Sequence, residues 1–117
     1  MKVAINGFGR IGRSVFRILD AIPNVEVVAI NDLFDNEALR YLLNYDTVMG
    51  NFGKELRIEN GHMVTPTSRV AMIAEANPSE LPWQELGVDV VIEATGVFRT
   101  RAQLEQHLSA GAGRVIL

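Results

Sequence analysis

Three glycines near the start of the chain have the spacing of a phosphate-binding turn. They belong to the segment Gly7-Phe8-Gly9-Arg10-Ile11-Gly12, which follows the pattern G-x-G-x-x-G. In this pattern the first glycine makes a tight turn, the second lets a pyrophosphate approach the backbone, and the third lets a helix pack closely on a strand. The N–H groups near Arg10 and Ile11 then face the phosphates along the helix dipole. The alternative is a turn with a purely structural purpose.

An acidic residue follows the glycines at the sequence separation expected for a ribose-binding carboxylate. Asp32 lies 20 residues after Gly12, as expected for the carboxylate that accepts hydrogen bonds from the adenosine ribose. Asn31, directly before it, is included among the predicted cofactor-binding residues. A 2′-phosphate would meet the like charge of Asp32, and Leu33 and Phe34 supply no arginine to offset it. The sequence therefore predicts NAD rather than NADP, with a turn aspartate as the alternative role for Asp32.

A second candidate segment, Thr95-Gly96-Val97-Phe98, follows a later apolar run. In a doubly wound sheet, the carboxyl ends of the strands line the ligand crevice. Gly96 would permit a close backbone approach, Thr95 would offer a hydroxyl, and Phe98 would form an apolar wall. A turn followed by a core phenylalanine fits the same pattern.

Short apolar runs alternate with amphipathic segments along the chain. The predicted strands are Lys2–Asn6, Val25–Ile30, Arg69–Glu75, Val88–Ala94 and Arg114–Leu117. The first predicted helix carries the apolar stripe Ile11, Val15, Ile18, Leu19 and Ile22, and the second spans Asn36–Asn44, with Leu39, Leu42 and Leu43 on its inner face. A short helix starts at Asn77-Pro78-Ser79 and contains Leu81, Trp83 and Leu86. The last helix begins at Thr100, which has capping-box spacing to Gln103. This order predicts an α/β fold with a doubly wound, mostly parallel Rossmann sheet.

The middle of the chain predicts a small antiparallel insertion. The segment Tyr45–Lys54 is polar and contains glycine, so it is interpreted as a loop. Glu55–Glu59 and His62–Thr65 flank Asn60-Gly61, a dipeptide suited to positive φ, and so predict a hairpin on the rim of the domain.

Residues 1–117 are expected to form one NAD-binding domain. The last predicted strand ends without a turn or a covering segment, whereas parallel sheets have both faces covered. We therefore expect a C-terminally incomplete sheet and a chain that is the front portion of a longer polypeptide. A naturally short domain is the alternative.

Composition excludes several classes of function. The chain is 48% hydrophobic and 21% charged, with net charge −3 and no basic run, so nucleic acid is not an expected partner. No apolar run approaches the roughly 20 residues of a membrane span. Zero cysteines exclude disulfides, thiolate metal sites and a cysteine nucleophile within this chain. A cytoplasmic location is the expectation.

Other polar residues give no catalytic or metal site. His62 and His107 lack companions at ligand spacing and are interpreted as surface histidines. Glu93 is interpreted as a structural acid near the crevice, and Trp83 as an anchor for the short helix. No serine–histidine–acid set has supporting context, so no catalytic residue is predicted.

Five blocks of sequence, taken in order, resemble one enzyme family. The N-terminal block, which contains INGFGRIGR, is far more specific than a bare glycine pattern. The blocks are Val3–Arg13, Val28–Leu33, Tyr45–Thr47, Gly87–Phe98 and Ser109–Ile116. Together they resemble phosphorylating glyceraldehyde-3-phosphate dehydrogenase over the whole chain. Erythrose-4-phosphate dehydrogenase shares these blocks and is a close second.

This resemblance implies the NAD-binding portion of a homotetrameric glycolytic oxidoreductase. Such an enzyme oxidises and phosphorylates an aldose phosphate by hydride transfer to NAD. The resemblance implies that Arg10 and Ile11 contact the pyrophosphate and that Asp32 binds the adenosine ribose. It also implies that Thr95-Gly96 and Phe98 line the cofactor cleft. The family's catalytic cysteine and histidine belong to a later part of the enzyme. The isolated chain is thus expected to bind NAD without catalysing, and a sugar phosphate is a partner only where a catalytic domain is present.

The chain departs from the family pattern at three places. Ala76 stands where an arginine usually helps to hold the adenine, Thr47-Val48-Met49-Gly50 replaces a Ser-Thr-His-Gly segment, and Gly113 replaces a common lysine. Two alternatives to a dehydrogenase fragment stay open. One is a non-catalytic, stand-alone nucleotide-binding module, and the other is an enzyme completed by a second chain that carries the cysteine.

Overall fold

The computed structural model of the chain describes residues 1–46, 50–53, 55–97 and 100–117. In chain order the elements are β1 (Lys2–Asn6), α1 (Arg10–Asp20), β2 (Glu26–Asn31), α2 (Asn36–Asn44), β3 (Tyr45–Asp46), β4 (Gly50–Asn51), β5 (Arg57–Glu59), β6 (His62–Val64), β7 (Arg69–Ile73), a 3₁₀ turn (Pro78–Glu80), α3 (Trp83–Leu86), β8 (Val90–Glu93), α4 (Arg101–Ser109) and β9 (Arg114–Ile116). Within the described residues, no helix is long and apolar enough to cross a membrane.

The main sheet has the strand order β5–β6–β7–β2–β1–β8–β9. Its strands β7, β2, β1, β8 and β9 run parallel to their neighbours within this group. From β1 the chain builds outward through β2 to β7, and then returns to add β8 and β9 on the other side of β1. The order therefore reverses between β1 and β8, and ligands of doubly wound sheets bind outside the carboxyl ends of the strands at such a point. The predicted fold class, a doubly wound α/β sheet, is confirmed.

The predicted hairpin is also present and extends the sheet beyond β7. Strands β5 and β6 pair antiparallel, and β6 pairs antiparallel with β7. Asn60 and Gly61 connect β5 to β6 with φ values of 51° and 72°, as expected for a two-residue turn with both central residues left-handed. Part of the predicted Tyr45–Lys54 loop instead forms the separate antiparallel pair β3–β4.

Two apolar clusters cover the two faces of the parallel sheet. Ile5 and Ile30 belong to the cluster under α1 and α2, whereas Ala4 and Ala29 belong to the cluster with Trp83. Successive residues of a strand point to opposite faces, so β1 and β2 contribute alternately to both clusters. This two-sided burial holds the carboxyl ends of the central strands in place.

The apolar stripe predicted for α1 is partly wrong. Ile11 and Ile18 are 69% and 60% exposed, whereas Phe16 is fully buried. At Gly12 the helix lies against the end of β1, since a Cβ there would overlap the Gly7 carbonyl oxygen and lie 3.3 Å from Ile5 Cγ2. Phe16 is four residues further on and so lies on the same helix face. That approach places the isoleucines outside. In α2, similarly, Leu42 is exposed although it was predicted to face inward.

The short helix predicted from Asn77 is interrupted. The Asn77 side chain accepts a hydrogen bond from the Ser79 N–H and begins only a 3₁₀ turn. Pro82 precedes α3, which spans Trp83–Leu86. Since proline has no N–H and restricts the residue before it, one continuous helix does not form here.

Candidate functional site

A groove of about 610 Å³ lies at the carboxyl ends of the central strands. Among the described residues it is lined by Asn6, Gly7, Gly9, Asn31, Asp32, Leu33, Phe34, Glu75, Ala76, Ala94, Thr95 and Val97. These residues end or follow β1, β2, β7 and β8. The groove therefore occupies the place where doubly wound sheets bind their ligands.

Gly7 forms the tight turn that leads from β1 into α1. Its φ of 97° lies in the left-handed region that favours glycine. A Cβ on Gly7 would stand 2.7 Å from the Thr95 nitrogen and 2.8 Å from the Ala94 carbonyl carbon. By contrast, a Cβ on Gly9 would meet nothing within 4 Å in the described structure. The absence of a side chain at Gly7 therefore allows the turn to pack against the backbone of Ala94 and Thr95, whereas Gly9 borders open space in the groove.

The start of α1 has backbone N–H groups in the position of an anion-binding helix N-terminus. Gly9 is the N-cap residue of this fully described helix and supplies no side-chain cap, and the first turn carries no acidic residue. The first bond of the helix runs from the Arg13 N–H to the Gly9 carbonyl, 2.9 Å. The N–H groups before Arg13 have no acceptor within the helix, and together with the helix dipole they favour an anion.

Two backbone N–H groups orient the Asp32 carboxylate at the edge of the groove. Among the described residues, the Phe8 N–H donates to Asp32 Oδ2 at 2.7 Å and the Phe34 N–H donates to Oδ1 at 2.9 Å. A carboxylate has about four lone-pair directions. Each Asp32 oxygen therefore retains the capacity to accept one more hydrogen bond. Two oxygens with one open direction each suit two neighbouring hydroxyl groups.

The Asn31 side chain is used within the protein. Its Nδ2 donates to Asn6 Oδ1 at 2.7 Å and to the Glu75 carbonyl oxygen at 2.9 Å. Its Oδ1 accepts from the Glu75 N–H at 2.8 Å. Asn31 thus ties the ends of β1 and β2 to the segment after β7. Its contribution to the groove is to hold these backbones in place.

His107 is buried, so its interpretation as a surface histidine is wrong. The side chains of His107 and Glu93 are both 0% exposed, and His107 Nε2 lies 2.8 Å from Glu93 Oε1. Trp83 Nε1 donates to His107 Nδ1 at 3.0 Å. His107 thus lies on the buried side of α4, facing Glu93 at the end of β8. A buried carboxylate requires hydrogen-bond donors, and His107 is one of them. Glu93 and Trp83 have the structural roles predicted for them.

Acidification is expected to reveal the contribution of Glu93 to stability. Burial raises the pKa of Glu93, but hydrogen bonds from His107, Thr95 and Asn6 outweigh burial and hold the pKa below its ordinary value of 4.5. A carboxyl whose pKa is lowered by folding stabilises the fold above the unfolded pKa, and this contribution is lost as the pH falls through the folded pKa. We therefore expect the free energy of unfolding to fall below about pH 4.5.

Urea unfolding between pH 7 and pH 3 measures this effect. The Glu93→Gln variant should have a lower free energy of unfolding at pH 7, and this free energy should decrease less on acidification than that of the original chain. Glu85→Gln, at an exposed position, should show the same pH dependence as the original chain. The exposed Glu59, whose pKa the Arg57 side chain lowers through a hydrogen bond, is unchanged in both variants. Parallel pH curves for Glu93→Gln and the original chain would contradict the prediction.

The groove brings together only part of the predicted cofactor-binding set. The members that line it are Gly7, Gly9, Asn31, Asp32 and Thr95. The described members that do not line it are Arg10 and Ile11, which are exposed at the start of α1, Gly12, which is buried beneath the turn, and Gly96, which is exposed beside Thr95. Phe98 lies outside the described residues. The Thr95 hydroxyl, predicted as a ligand group, donates to Glu93 Oε2 at 2.6 Å.

Several groove residues were absent from the predicted set. They are Asn6, Leu33, Phe34, Glu75, Ala76, Ala94 and Val97. The position of each at or just after the carboxyl end of a parallel strand was a usable signal, because that edge forms the ligand crevice. Asn6 offered the clearest one, as a polar residue that ends an apolar strand directly before the glycine turn.

The doubly wound sheet, the glycine turn and the groove at its reversal point define a dinucleotide-binding domain. The family model described as "Glyceraldehyde 3-phosphate dehydrogenase, NAD binding domain" matches residues 1–101. The chain therefore belongs to the glyceraldehyde-3-phosphate dehydrogenase family, as its NAD-binding domain. The resemblance drawn from the five sequence blocks and the choice of NAD as cofactor are both confirmed.

Curated relatives agree with this assignment. The chain is 50% identical over 118 residues to glyceraldehyde-3-phosphate dehydrogenase of Thermotoga maritima, and 48% over 116 residues to that of Clostridium pasteurianum. It is 46% identical over 117 residues to that of Salmonella typhimurium. These matches cover 99–100% of this chain and 35% of each relative. The chain thus spans about a third of the length of these relatives.

Proposed function

We propose that the groove binds NAD with its pyrophosphate at the start of α1 and its adenosine ribose at Asp32. Gly9 leaves space for the phosphates to approach the backbone, and the N–H groups of Arg10 and Ile11 in the first turn of α1 face them. The observation that carries the proposal is the geometry of Asp32, whose two oxygens are each oriented by one backbone N–H and each keep one open direction. The two neighbouring hydroxyls of a ribose complete that arrangement.

The adenine is proposed to lie against an apolar part of the groove. Leu33, Phe34 and Ala76 line this part, and the two larger side chains are exposed in the described structure. An apolar wall favours a flat base through burial and dispersion. Because Ala76 has no guanidinium, the base is held here by contact rather than by a cation. Thr95, Gly96 and Phe98 are proposed to border the other end of the cofactor.

The wider role proposed for this chain is to supply NAD to a phosphorylating aldehyde dehydrogenase. The supporting facts are the family assignment and the identity of 46–50% to enzymes named glyceraldehyde-3-phosphate dehydrogenase. The chain contains no cysteine, so the thiolate that attacks the aldehyde is supplied by residues outside these 117. By itself the chain binds NAD and catalyses nothing. The proposed setting is glycolysis in the cytoplasm, as part of a homo-oligomer acting on glyceraldehyde 3-phosphate or a homologous sugar phosphate.

Titration with NAD tests the proposed binding directly. At ten times the dissociation constant, NAD stabilises the folded state by about 1.4 kcal/mol, which raises the thermal midpoint by several degrees for a chain of this size. Isothermal titration calorimetry gives the stoichiometry, for which one NAD per chain is expected. No midpoint shift and no binding heat at millimolar NAD would overturn the proposal.

The zero cysteine count also defines a test of the catalytic role. The chain alone should form no NADH from glyceraldehyde 3-phosphate, NAD and phosphate. Mixing it with a separately expressed polypeptide that carries the cysteine-containing part of a relative should give NADH if the two parts assemble. NAD binding without any such complementation supports the alternative, a nucleotide-binding module that is not catalytic.

A further inference from the structure

The Glu93 carboxylate is saturated by hydrogen bonds at the edge of the groove. Oε1 accepts from Asn6 Nδ2 at 2.7 Å and lies 2.8 Å from His107 Nε2. Oε2 accepts from the Thr95 N–H at 3.0 Å and from the Thr95 hydroxyl at 2.6 Å. Four donors of the described residues thus fill the four lone-pair directions of a side chain that is 0% exposed. No direction is left for a ligand.

Trp83 fixes the direction of the hydrogen bonds behind this carboxylate. Its indole N–H can only donate, and it points at His107 Nδ1 from 3.0 Å. Nδ1 is therefore the acceptor, so the ring carries its hydrogen on Nε2 and donates it to Glu93. The order Trp83 to His107 to Glu93 joins α3 and α4 to the last residue of β8. The donor and the acceptor of each hydrogen bond in this series are therefore fixed.

From Glu93 the hydrogen bonds branch to two walls of the NAD groove. In one branch, Thr95 Oγ1 accepts from the Val97 N–H at 3.2 Å, and both residues line the groove. In the other branch, Asn6 Oδ1 accepts from Asn31 Nδ2 at 2.7 Å, and Asn31 pairs with the backbone of Glu75. The same carboxylate thus connects the wall after β8 with the wall after β2 and β7.

We propose that Glu93 is a positioning residue for the dinucleotide, acting through Thr95 and through Asn6 and Asn31. This inference rests on the proposed NAD function. A fully satisfied buried network holds its members in one arrangement, and a binding site that is ordered before the ligand arrives loses less conformational freedom on binding. Glu93 never touches NAD. Its effect is to keep the Thr95–Val97 turn and the Asn31–Glu75 connection in the shape that the cofactor requires.

Glu93→Gln is the matched substitution that breaks the network with little change in size. A glutamine amide accepts with one oxygen and donates with its nitrogen, so two of the four donors lose their acceptor. Glu85→Gln is the control, because Glu85 is exposed in α3. The indole N–H of Trp83, the single tryptophan of the chain, gives one assignable proton resonance for the state of the network.

Amide hydrogen exchange of the ligand-free chain tests the positioning without NAD. In Glu93→Gln we expect the N–H groups of Thr95, Val97 and Glu75 to exchange about tenfold faster and the Trp83 indole resonance to shift. Amides of β1 and β2, such as that of Ile30, should keep their protection. Unchanged exchange at Thr95 and Val97, or an equal acceleration throughout the chain, would overturn the proposal.

Calorimetric titration with NAD then tests the consequence for binding. Glu93→Gln should bind NAD about tenfold more weakly at a temperature where it is fully folded, and Glu85→Gln should bind like the original chain. If the original chain does not bind NAD, the proposed function fails, and exchange alone decides whether Glu93 orders the groove. If Glu93→Gln binds NAD with unchanged affinity, the positioning role is overturned while the proposed function stands.

A second pair of variants serves if Glu93→Gln does not fold. Thr95→Val removes the hydroxyl that joins Glu93 Oε2 to the Val97 N–H, whereas Thr95→Ser keeps it. We expect faster exchange at Val97 and weaker NAD binding for the valine variant, with both restored in the serine variant. Equal behaviour of the two variants would contradict the role assigned to this branch.

Discussion

Replacing Gly12 by alanine is expected to destabilise the chain severely. A Cβ at this position would overlap the Gly7 carbonyl oxygen and lie 3.3 Å from Ile5 Cγ2. The overlapped atom is backbone in a turn that Gly7 holds at a φ of 97°, so it cannot rotate away as a side chain would. We expect the free energy of unfolding to fall by about 3 kcal/mol or more, the upper range for overpacking. Urea unfolding followed by circular dichroism measures this change.

Gly9→Ala is the matched control for this prediction. It is the same substitution in the same turn, but its Cβ would meet nothing within 4 Å in the described structure. Its φ of −75° is one that alanine adopts readily. We expect its stability to stay within about 1 kcal/mol of the original, whereas its NAD binding weakens because the methyl occupies the space left for the pyrophosphate. Equal stability losses for both variants would contradict the prediction that overlap with the Gly7 carbonyl makes Gly12 the more sensitive position.

The features that the sequence predicted well depend on local geometry. Three glycines in one turn, a dipeptide suited to positive φ and a capping box each involve residues a few positions apart. The Thr100–Gln103 capping box illustrates this, since both of its hydrogen bonds are present at the start of α4. The order of strands and helices then leaves few ways to build a parallel sheet, because crossovers are short and of one hand.

The network at Glu93 depends on pairs that are distant in the chain. Asn6 and Glu93 are 87 positions apart, and Trp83 and His107 are 24 apart. A histidine on a polar helix gives no local sign that it faces a buried carboxylate. Only the pairing of β1 with β8 and the packing of α4 bring these groups together. The face of α1 that packs on the sheet likewise depends on a tertiary contact. It is set by the close packing of Gly12 against the Gly7 carbonyl and Ile5, and not by the apolar pattern of the helix.

Two carboxylates at this sheet edge have different tasks because different numbers of donors reach them. Glu93 accepts four hydrogen bonds from the described residues and is buried. Asp32 accepts two from the described residues and borders the groove. The spacing of Asp32 to the glycine turn predicted the role of a ribose ligand for it, and Glu93, which has no such spacing, was interpreted as a structural acid. The physical reason for the difference is the remaining capacity of each carboxylate to accept a hydrogen bond, which only the folded chain determines.

Removing the charge of Asp32 is expected to weaken NAD binding about 10- to 100-fold. Hydrogen bonds to a charged group contribute about 1.5–3 kcal/mol, and each 1.4 kcal/mol changes the dissociation constant tenfold. Asp32→Asn keeps the size of the side chain and loses both the charge and one acceptor. NADP should bind the original chain more weakly than NAD, because its 2′-phosphate meets the carboxylate. In Asp32→Asn its affinity should fall less than that of NAD, so the NAD to NADP ratio narrows.

Asp89→Asn separates this effect from the loss of a structural hydrogen bond. The Asp89 carboxylate also accepts a backbone N–H, that of Lys2 at 2.8 Å, but it precedes β8 and so lies at the amino end of the strands. Both variants therefore remove an acceptor from a backbone donor, and only one of them borders the groove. Calorimetric titration should show unchanged NAD and NADP affinities for Asp89→Asn. Equal weakening in the two variants, or a constant NAD to NADP ratio in Asp32→Asn, would mean that Asp32 shapes the turn without contacting the ribose.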